Sequence, residues 1–231
     1  MEKEQIIKPI AYIRTDFKEK FGIPRQSGRA PSLCGRVVFL PEYRNPDAVR
    51  GLSDFSHIWL LFDFSESHRE NWSATVRPPR LGGNARVGVF ASRSPFRPNP
   101  IGLSSVRLEG IEQTENEGEV LLVSGVDLLD MTPIYDIKPY LPFSDCHPDA
   151  VGGYADAVRD LTLSVEFPEP LLSLLPKEKQ EAVVECLAED PRPAYQDDEE
   201  RIYSMNFSGF DIRFRVANNC LTVTNVEKTR V

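Results

Sequence analysis

The sequence has no hydrophobic run that approaches the length needed to span a bilayer. Residues 1–5 are charged and lack the apolar core of a secretory signal peptide. The four cysteines lie far apart and form no Cys-x-x-Cys pair, so we predict reduced thiols and no disulfide framework. These absences predict a cytoplasmic protein that has no membrane partner.

Several catalytic signatures are also missing. No Gly-x-Gly-x-x-Gly follows a predicted strand, no Gly-rich phosphate loop ends in Lys-Ser or Lys-Thr, and no serine occupies a Gly-x-Ser-x-Gly turn. The three histidines show no metal-ligand spacing, so we predict no metal site and expect His57, at a strand start, to be structural. Nucleotide sites of the Rossmann type and serine hydrolases therefore have no support.

The composition is that of an ordinary globular protein, but the charged residues are unevenly distributed along the chain. It has 231 residues, 41% of them hydrophobic, and a net charge of -8. That total argues against a non-specific nucleic-acid binder. Residues 73–108, however, hold six arginines and no acid, which predicts a positive face that meets an anion. These arginines are Arg77, Arg80, Arg86, Arg93, Arg97 and Arg107.

Short runs rich in β-branched residues, separated by Gly/Pro turns, dominate the first part of the chain. They predict a mainly β fold: a single-sheet β-barrel over residues 1–168 and a small α+β domain over residues 169–231. The predicted barrel strands cover residues 6–13, 35–40, 57–64, 85–91, 103–108, 119–126 and 161–167. The second domain is expected to hold a helix over 173–189 and a hairpin of 210–216 with 221–226, joined at Asn218-Asn219.

Three proline-rich polar segments adjoin predicted strands, at residues 24–26, 92–102 and 130–140. Proline fixes φ, and the residue before it is pushed to an extended conformation, so such loops are stiff and hold side chains in place. Each segment alone is explained by a structural turn. Their convergence at one end of a barrel would build a binding site on a rigid frame.

Five blocks of residues carry a resemblance to the tRNA N6-adenosine methyltransferase family. They are Pro24-Arg25-Gln26, residues 48–52 with 55–59, Arg77-Pro78-Pro79-Arg80, residues 94–102 and Asp136-Ile137-Lys138-Pro139-Tyr140. The resemblance extends from about residue 6 to 167 and continues through residues 190–195, which are similar to the appended domain of bacterial members. It implies a dimeric β-barrel enzyme that uses S-adenosylmethionine to methylate threonylcarbamoyl-adenosine beside the anticodon of tRNA.

The resemblance implies that S-adenosylmethionine is held by Pro24, Arg25, Gln26, Arg93, Leu103, Asp136, Ile137, Lys138 and Pro139, and we predict the same of Ser65 and Glu66. We predict that Arg97 and Asn99 are catalytic. Arg77, Arg80 and Arg97 would contact tRNA phosphates, which positions the RNA without reading its sequence.

The chain departs from the family pattern at two places. Ser65-Glu66 follows the aromatic run where relatives usually carry histidine, and His68 comes later. Met131 replaces the glycine of an Asp-Gly-Thr-Pro sequence. Because methionine adopts positive φ less readily than glycine, we expect the turn at Met131 to differ.

The residues suit methyl transfer to an exocyclic amine, whose lone pair is delocalised into the base. An enzyme must orient the reacting atoms, and the Asn99 carbonyl or the Asp136 carboxylate can accept an N–H hydrogen bond that localises the lone pair. Asp136 beside Lys138 also fits a surface ion pair or a cofactor ligand. Two alternatives remain open: a non-catalytic RNA- or nucleotide-binding barrel, and a small-molecule methyltransferase.

Overall fold

Six strands close into an antiparallel barrel in the order β1-β2-β7-β6-β3-β8. The computed structural model describes residues 5–78, 85–158, 161–193 and 198–229. The barrel strands are β1 (Ala11–Arg14), β2 (Cys34–Phe39), β3 (His57–Asp63), β6 (Ile101–Thr114), β7 (Gly118–Ser124) and β8 (Thr132–Pro139). Strands β4 (Thr75–Val76) and β5 (Val87–Gly88) form a separate two-stranded ribbon.

A second sheet, in the order β10-β11-β12-β9, follows the barrel. Its strands are β9 (Ser164–Glu166), β10 (Tyr203–Phe207), β11 (Phe210–Ala217) and β12 (Cys220–Lys228). The described residues also form three α-helices: α1 (Pro142–Asp145), α2 (Glu169–Leu172) and α3 (Lys177–Ala188). The predicted fold class, a single-sheet β-barrel with a small α+β domain, is therefore confirmed. In the described residues no helix is both long and apolar enough to cross a membrane.

Strict alternation of side chains explains why β3 and the final hairpin are predictable. In β3, Ile58, Leu60 and Phe62 face the barrel interior, and the strand is paired on both sides, by β6 and β8. Strands β11 and β12 meet at Asn218 and Asn219, which both have positive φ. Two positive-φ residues are what a tight two-residue hairpin turn requires.

Two predicted strands are wrong. Residues 85–91 contain only the two-residue strand β5, followed by a 3-10 helix, Val89–Ala91, and Phe90 is left exposed to solvent. Residues 161–167 contain only β9, which pairs in parallel with β12 instead of joining the barrel. The domain boundary between residues 168 and 169 stays a prediction, although β9 precedes it and belongs to the second sheet.

The polar segment at residues 130–140 is a strand rather than a loop. Strand β8 pairs with β1 and β3 and completes the barrel. Its prolines, Pro133 and Pro139, lie near the two ends of the strand, where a missing N–H removes the fewest ladder hydrogen bonds. Met131 adopts φ 62°, the conformation that costs methionine more than glycine, and its N–H donates to Ile13 O at 2.8 Å. That this turn differs from the turn of the relatives stays a prediction.

The segment between β1 and β2 lies between the two sheets. Phe17 packs edge-on against Phe207, and Phe21 packs against Phe214. A side chain on Gly22 would collide with Met205, whose Sδ would lie 2.3 Å from an added Cβ. Aromatic residues of the second domain therefore lie in its core, and they also support the segment that carries residues 24–26.

Candidate active site

Two predicted cofactor residues that are distant in sequence become neighbours on the outer face of the barrel. Leu61 of β3 pairs with Leu103 of β6 on one side and with Asp136 of β8 on the other. Paired residues on adjacent strands project from the same face of a sheet. Leu103 is 54% exposed, whereas Gly102 and Ser104 on either side of it face inward. The row Leu103-Leu61-Asp136 thus combines apolar surface with a carboxylate.

The inward-facing neighbour of Leu103 has to be glycine. A Cβ on Gly102 would lie 2.2 Å from the Phe62 ring, which is buried in the barrel. The ring therefore closes directly over the Gly102 backbone. This contact fixes where β6 begins, and with it the position of Leu103.

Asp136 is already engaged within its own strand. Its Oδ2 lies 2.9 Å from Lys138 Nζ, and its Oδ1 accepts a hydrogen bond from the Ile137 N–H, also at 2.9 Å. Both side chains of the ion pair are roughly half exposed, so the pair adds little to stability. The ion pair mainly holds the carboxylate in one orientation on the outer face. Strand β8 ends at Pro139, two residues beyond Ile137.

The second cluster of predicted residues forms where the first loop meets residues 92–102. Arg93 donates a hydrogen bond from Nη1 to Gln26 Oε1 at 2.6 Å. Pro24 is buried, and Arg25 donates from Nη2 to the Arg192 carbonyl of the second domain at 3.1 Å. The second domain therefore anchors this loop directly, and Gln26 and Arg93 remain exposed.

Asp127, to which the sequence assigns no role, lies behind this cluster. Its Oδ1 atom is buried and makes no hydrogen bond with the described residues. Burial raises the pKa of its carboxyl group to about 6, although the Ser104 hydroxyl, the N–H groups of Asp127 and Ser27 and the Arg93 guanidinium lower it. The only hint in the sequence is an acid between two apolar residues, Val126 and Leu128, both of which are buried.

Ser65 and Glu66 begin a short 3-10 helix directly after β3 and Phe64. Both are exposed, and Lys20 of the segment between β1 and β2 donates from Nζ to the Glu66 carbonyl at 2.6 Å. His68 lies nearby and places Nε2 2.8 Å from Asp63 Oδ1. The structure thus joins Ser65-Glu66 to the segment between β1 and β2.

Arg97 organises its own loop. Its Nη1 donates to the Ser92 carbonyl at 3.0 Å and to the Ser94 carbonyl at 3.3 Å, and the side chain is half buried. Asn99, which follows this loop, is exposed to solvent. Its backbone carbonyl accepts a hydrogen bond from the Ile101 N–H at 2.8 Å. Arg97 therefore bends residues 92–97 into a fixed loop, and Asn99 is presented just before β6 begins.

The predicted phosphate contacts are only partly within the described residues. Arg77 is exposed and follows β4 directly, while Arg80 lies outside the described residues. In the part of the chain that the structure describes, no three His, Cys, Asp or Glu side chains are grouped as metal ligands. His57, at the start of β3, places Nδ1 2.9 Å from the Ser56 hydroxyl.

Comparison with known proteins adds three findings. Residues 12–146 match the model of the tRNA-methyltransferase O N-terminal domain, and residues 160–229 match that of the TrmO C-terminal domain. The chain is 45% identical over 217 residues to the Escherichia coli (strain K12) tRNA (adenine(37)-N6)-methyltransferase, covering 90% of this chain and 92% of that protein.

A similar protein and a similar crystal structure come from Pseudomonas aeruginosa. A protein named putative S-adenosylmethionine-dependent methyltransferase RcsF is 44% identical over 216 residues, covering 90% of this chain and 91% of that protein. A crystal structure described as TrmO has a TM-score of 0.79 and 36% identity, covering 97% of this chain and 99% of that one. Both the barrel and the second domain therefore have matched counterparts.

Proposed function

The chain belongs to the tRNA-methyltransferase O family, and we propose that it transfers the methyl group of S-adenosylmethionine to N6 of adenosine 37 in tRNA. We propose threonylcarbamoyl-adenosine as the form of this nucleotide that is methylated, as the sequence motifs imply. The observation that carries the proposal is similarity along nearly the whole chain to a relative with that named activity. The enzyme would act in the cytoplasm, where tRNA is modified.

The residues at the site suit S-adenosylmethionine chemically. Exposed Leu103, beside Leu61, offers an apolar surface for the adenine, and Asp136 can accept hydrogen bonds from ribose hydroxyls or an amino group. Arg93 can bind the carboxylate of the methionine moiety. We assign the same site to the remaining predicted cofactor residues: Pro24, Arg25, Gln26, Ser65, Glu66, Ile137, Lys138 and Pro139.

When bound, the cofactor supplies a methyl group activated on a sulfonium sulfur. The protein must orient the acceptor amine and help its lone pair localise, and orientation alone is worth as much as roughly 7–11 kcal/mol. The exposed Asn99 side-chain oxygen would accept a hydrogen bond from the single N6–H of threonylcarbamoyl-adenosine and so help the nitrogen lone pair localise. On methyl transfer this proton would leave N6 for solvent water, because a neutral amide oxygen is too weak a base to retain it. Arg97 keeps Asn99 in place by holding the preceding loop.

The Asp136→Ala variant tests the cofactor assignment. Because a hydrogen bond to a charged group contributes about 1.5–3 kcal/mol, we expect the Kd for S-adenosylmethionine to rise about 10- to 100-fold. Isothermal titration calorimetry measures this directly. Glu112→Ala is the matched control, since Glu112 also forms a half-exposed ion pair on a barrel strand, with Arg36 at 2.7 Å.

The same titration separates the competing functions. A wild-type protein that does not bind S-adenosylmethionine would be a binding module rather than an enzyme. A protein that binds the cofactor but fails to methylate tRNA, with or without the threonylcarbamoyl group, would have a small-molecule acceptor instead. Nucleoside mass spectrometry of tRNA from a deletion strain, with loss of the N6-methylated nucleoside, completes the test.

We also propose that the enzyme is a homodimer. Ile101 and Leu103 lie on the same outward face of β6 and are 38% and 54% exposed, and neighbouring exposed apolar side chains mark contact surfaces. We expect wild-type protein to sediment as a dimer and Ile101→Arg to sediment as a monomer that keeps the wild-type circular dichroism spectrum. A monomeric wild-type protein, or a dimeric variant, would contradict this arrangement.

A further inference from the structure

A cleft of about 100 Å³ opens beside the loop that contains Asn99, and nothing above assigns it a ligand. Its lining includes Arg69, Trp72, Phe96, Arg97, Pro98 and Pro100. Because Pro98 and Pro100 flank Asn99, the cleft ends next to the residue proposed to receive the target amine. A molecule in this cleft would therefore lie beside the reacting nucleotide.

The surface around the cleft carries aromatic side chains that the fold does not need. Trp72 and Phe90 have ring centroids 6.2 Å apart and an interplanar angle of 30°, yet they are 53% and 74% exposed. Neither ring belongs to the hydrophobic core. A pair of exposed rings held close together leaves apolar faces available to a planar ligand.

Positive charge lies next to these rings. The Arg69 guanidinium lies over the Phe96 ring, 3.6 Å from its centroid, and residues 73–108, which include Phe90 and Phe96, contain no acid. Proteins that bind single-stranded RNA combine the same two elements, aromatic or guanidinium platforms for unstacked bases and cationic groups for the backbone. A folded protein partner would need neither the flat platform nor the arginine side chains beside it.

We propose that the surface formed by Trp72 and Phe90 stacks an unpaired base of the tRNA anticodon loop beside the target adenosine, and that Arg69 contacts an adjacent phosphate. The inference rests on the proposed function, because it assumes that Asn99 faces a tRNA nucleotide. The residues that would bind the RNA here, Trp72, Phe90 and Arg69, lie outside the five blocks that carry the family resemblance.

Trp72→Ala tests the stacking contact. Stacking of one base on an aromatic side chain is worth about 1–3 kcal/mol, so the Kd for an anticodon stem-loop RNA carrying threonylcarbamoyl-adenosine should rise about 5- to 100-fold. Trp72→Phe should restore most of the affinity, because phenylalanine also offers a flat face. Phe143→Ala is the matched control, since Phe143 is an aromatic residue 88% exposed elsewhere on the chain, in α1.

Salt dependence separates the two roles. Arg69→Ala should lower the slope of log Kd against log salt concentration by about 0.7–0.9, which corresponds to one lost phosphate contact. Trp72→Ala should leave that slope unchanged, because stacking releases no counterions. The Kd for S-adenosylmethionine should stay at the wild-type value in both variants.

The outcomes distinguish this inference from the function on which it rests. An unchanged RNA affinity in Trp72→Ala, with a wild-type enzyme that methylates the RNA, would overturn the stacking surface alone. A shift of Trp72→Ala from dimer to monomer would overturn it too, by assigning the rings to a second copy of the chain. A wild-type protein that neither binds nor methylates the RNA would overturn both.

Discussion

Replacing Arg97 with alanine is expected to lower the rate of methylation at least 100-fold. The guanidinium spans the Ser92 and Ser94 carbonyls, so its loss releases the loop that presents Asn99. Displacement of a reacting group by about 1 Å is sufficient for a loss of that size. Single-turnover methylation of modified tRNA measures it, and kcat should fall more than the tRNA affinity.

Two variants calibrate this result. Arg97→Lys keeps the charge but places a compact, more strongly hydrated ammonium on a shorter side chain, so we expect an intermediate rate. Arg77→Ala removes an exposed arginine outside the loop and should mainly weaken tRNA binding, with little effect on kcat at saturating RNA. Wild-type activity in Arg97→Ala would remove residues 92–102 from the catalytic site.

Local sequence patterns predict the strands that face solvent on one side and the core on the other. Strand β3 and the hairpin of β11 and β12 follow from alternation, and the turn at Asn218 and Asn219 follows from residues that tolerate positive φ. Strand β8 escapes prediction because its prolines resemble loop punctuation. Strand β8 is recognised only through its pairing with β1 and β3, which are distant in sequence. Its prolines are tolerated because they lie near the ends of the strand.

The grouping of site residues depends on strand order, which no local pattern contains. Leu103 and Asp136 become neighbours only because β3 lies between β6 and β8. The family resemblance implies that both residues hold S-adenosylmethionine, but it does not show that their strands flank β3. The support that Arg25 receives from the Arg192 carbonyl is also a contact between domains, and it is invisible in either segment alone.

Asp127, to which the sequence assigns no role, makes the stability depend on pH. A carboxyl group that is buried without a full set of partners favours its neutral form, so its folded-state pKa of about 6 lies above the ordinary value of 3.8. The folded state therefore binds the proton more tightly than the unfolded state does. The stabilisation from this group is fully present below pH 3.8 and is lost as the pH rises through 6.

The Asp127→Asn variant should consequently be more stable than the wild type at pH 7.5. The raised pKa corresponds to at most about 3 kcal/mol, and we expect a gain of about 1–2 kcal/mol because the new amide N–H groups also need acceptors. The difference in unfolding free energy should shrink towards zero near pH 4. Urea denaturation at pH 4, 5.5 and 7.5 measures this trend.

Asp145 provides a control of opposite sign. The Leu141 N–H and the Trp59 indole N–H hold the pKa of its carboxyl group below the ordinary value. That group stabilises the fold above pH 3.8, and the contribution is lost as the pH falls through its lower folded-state pKa. Asp145→Asn should therefore destabilise the protein at pH 7.5, where Asp127→Asn stabilises it.

Because the Asp127 carboxylate destabilises the fold at neutral pH, we expect it to serve the cofactor site. Asp127 lies close enough to Arg93 for the guanidinium to lower its pKa, and Arg93 in turn holds Gln26. We therefore expect the stabilised Asp127→Asn variant to bind S-adenosylmethionine more weakly, because Arg93 loses the charge that positions it. Higher stability with unchanged cofactor affinity would show that Asp127 has no part in the site.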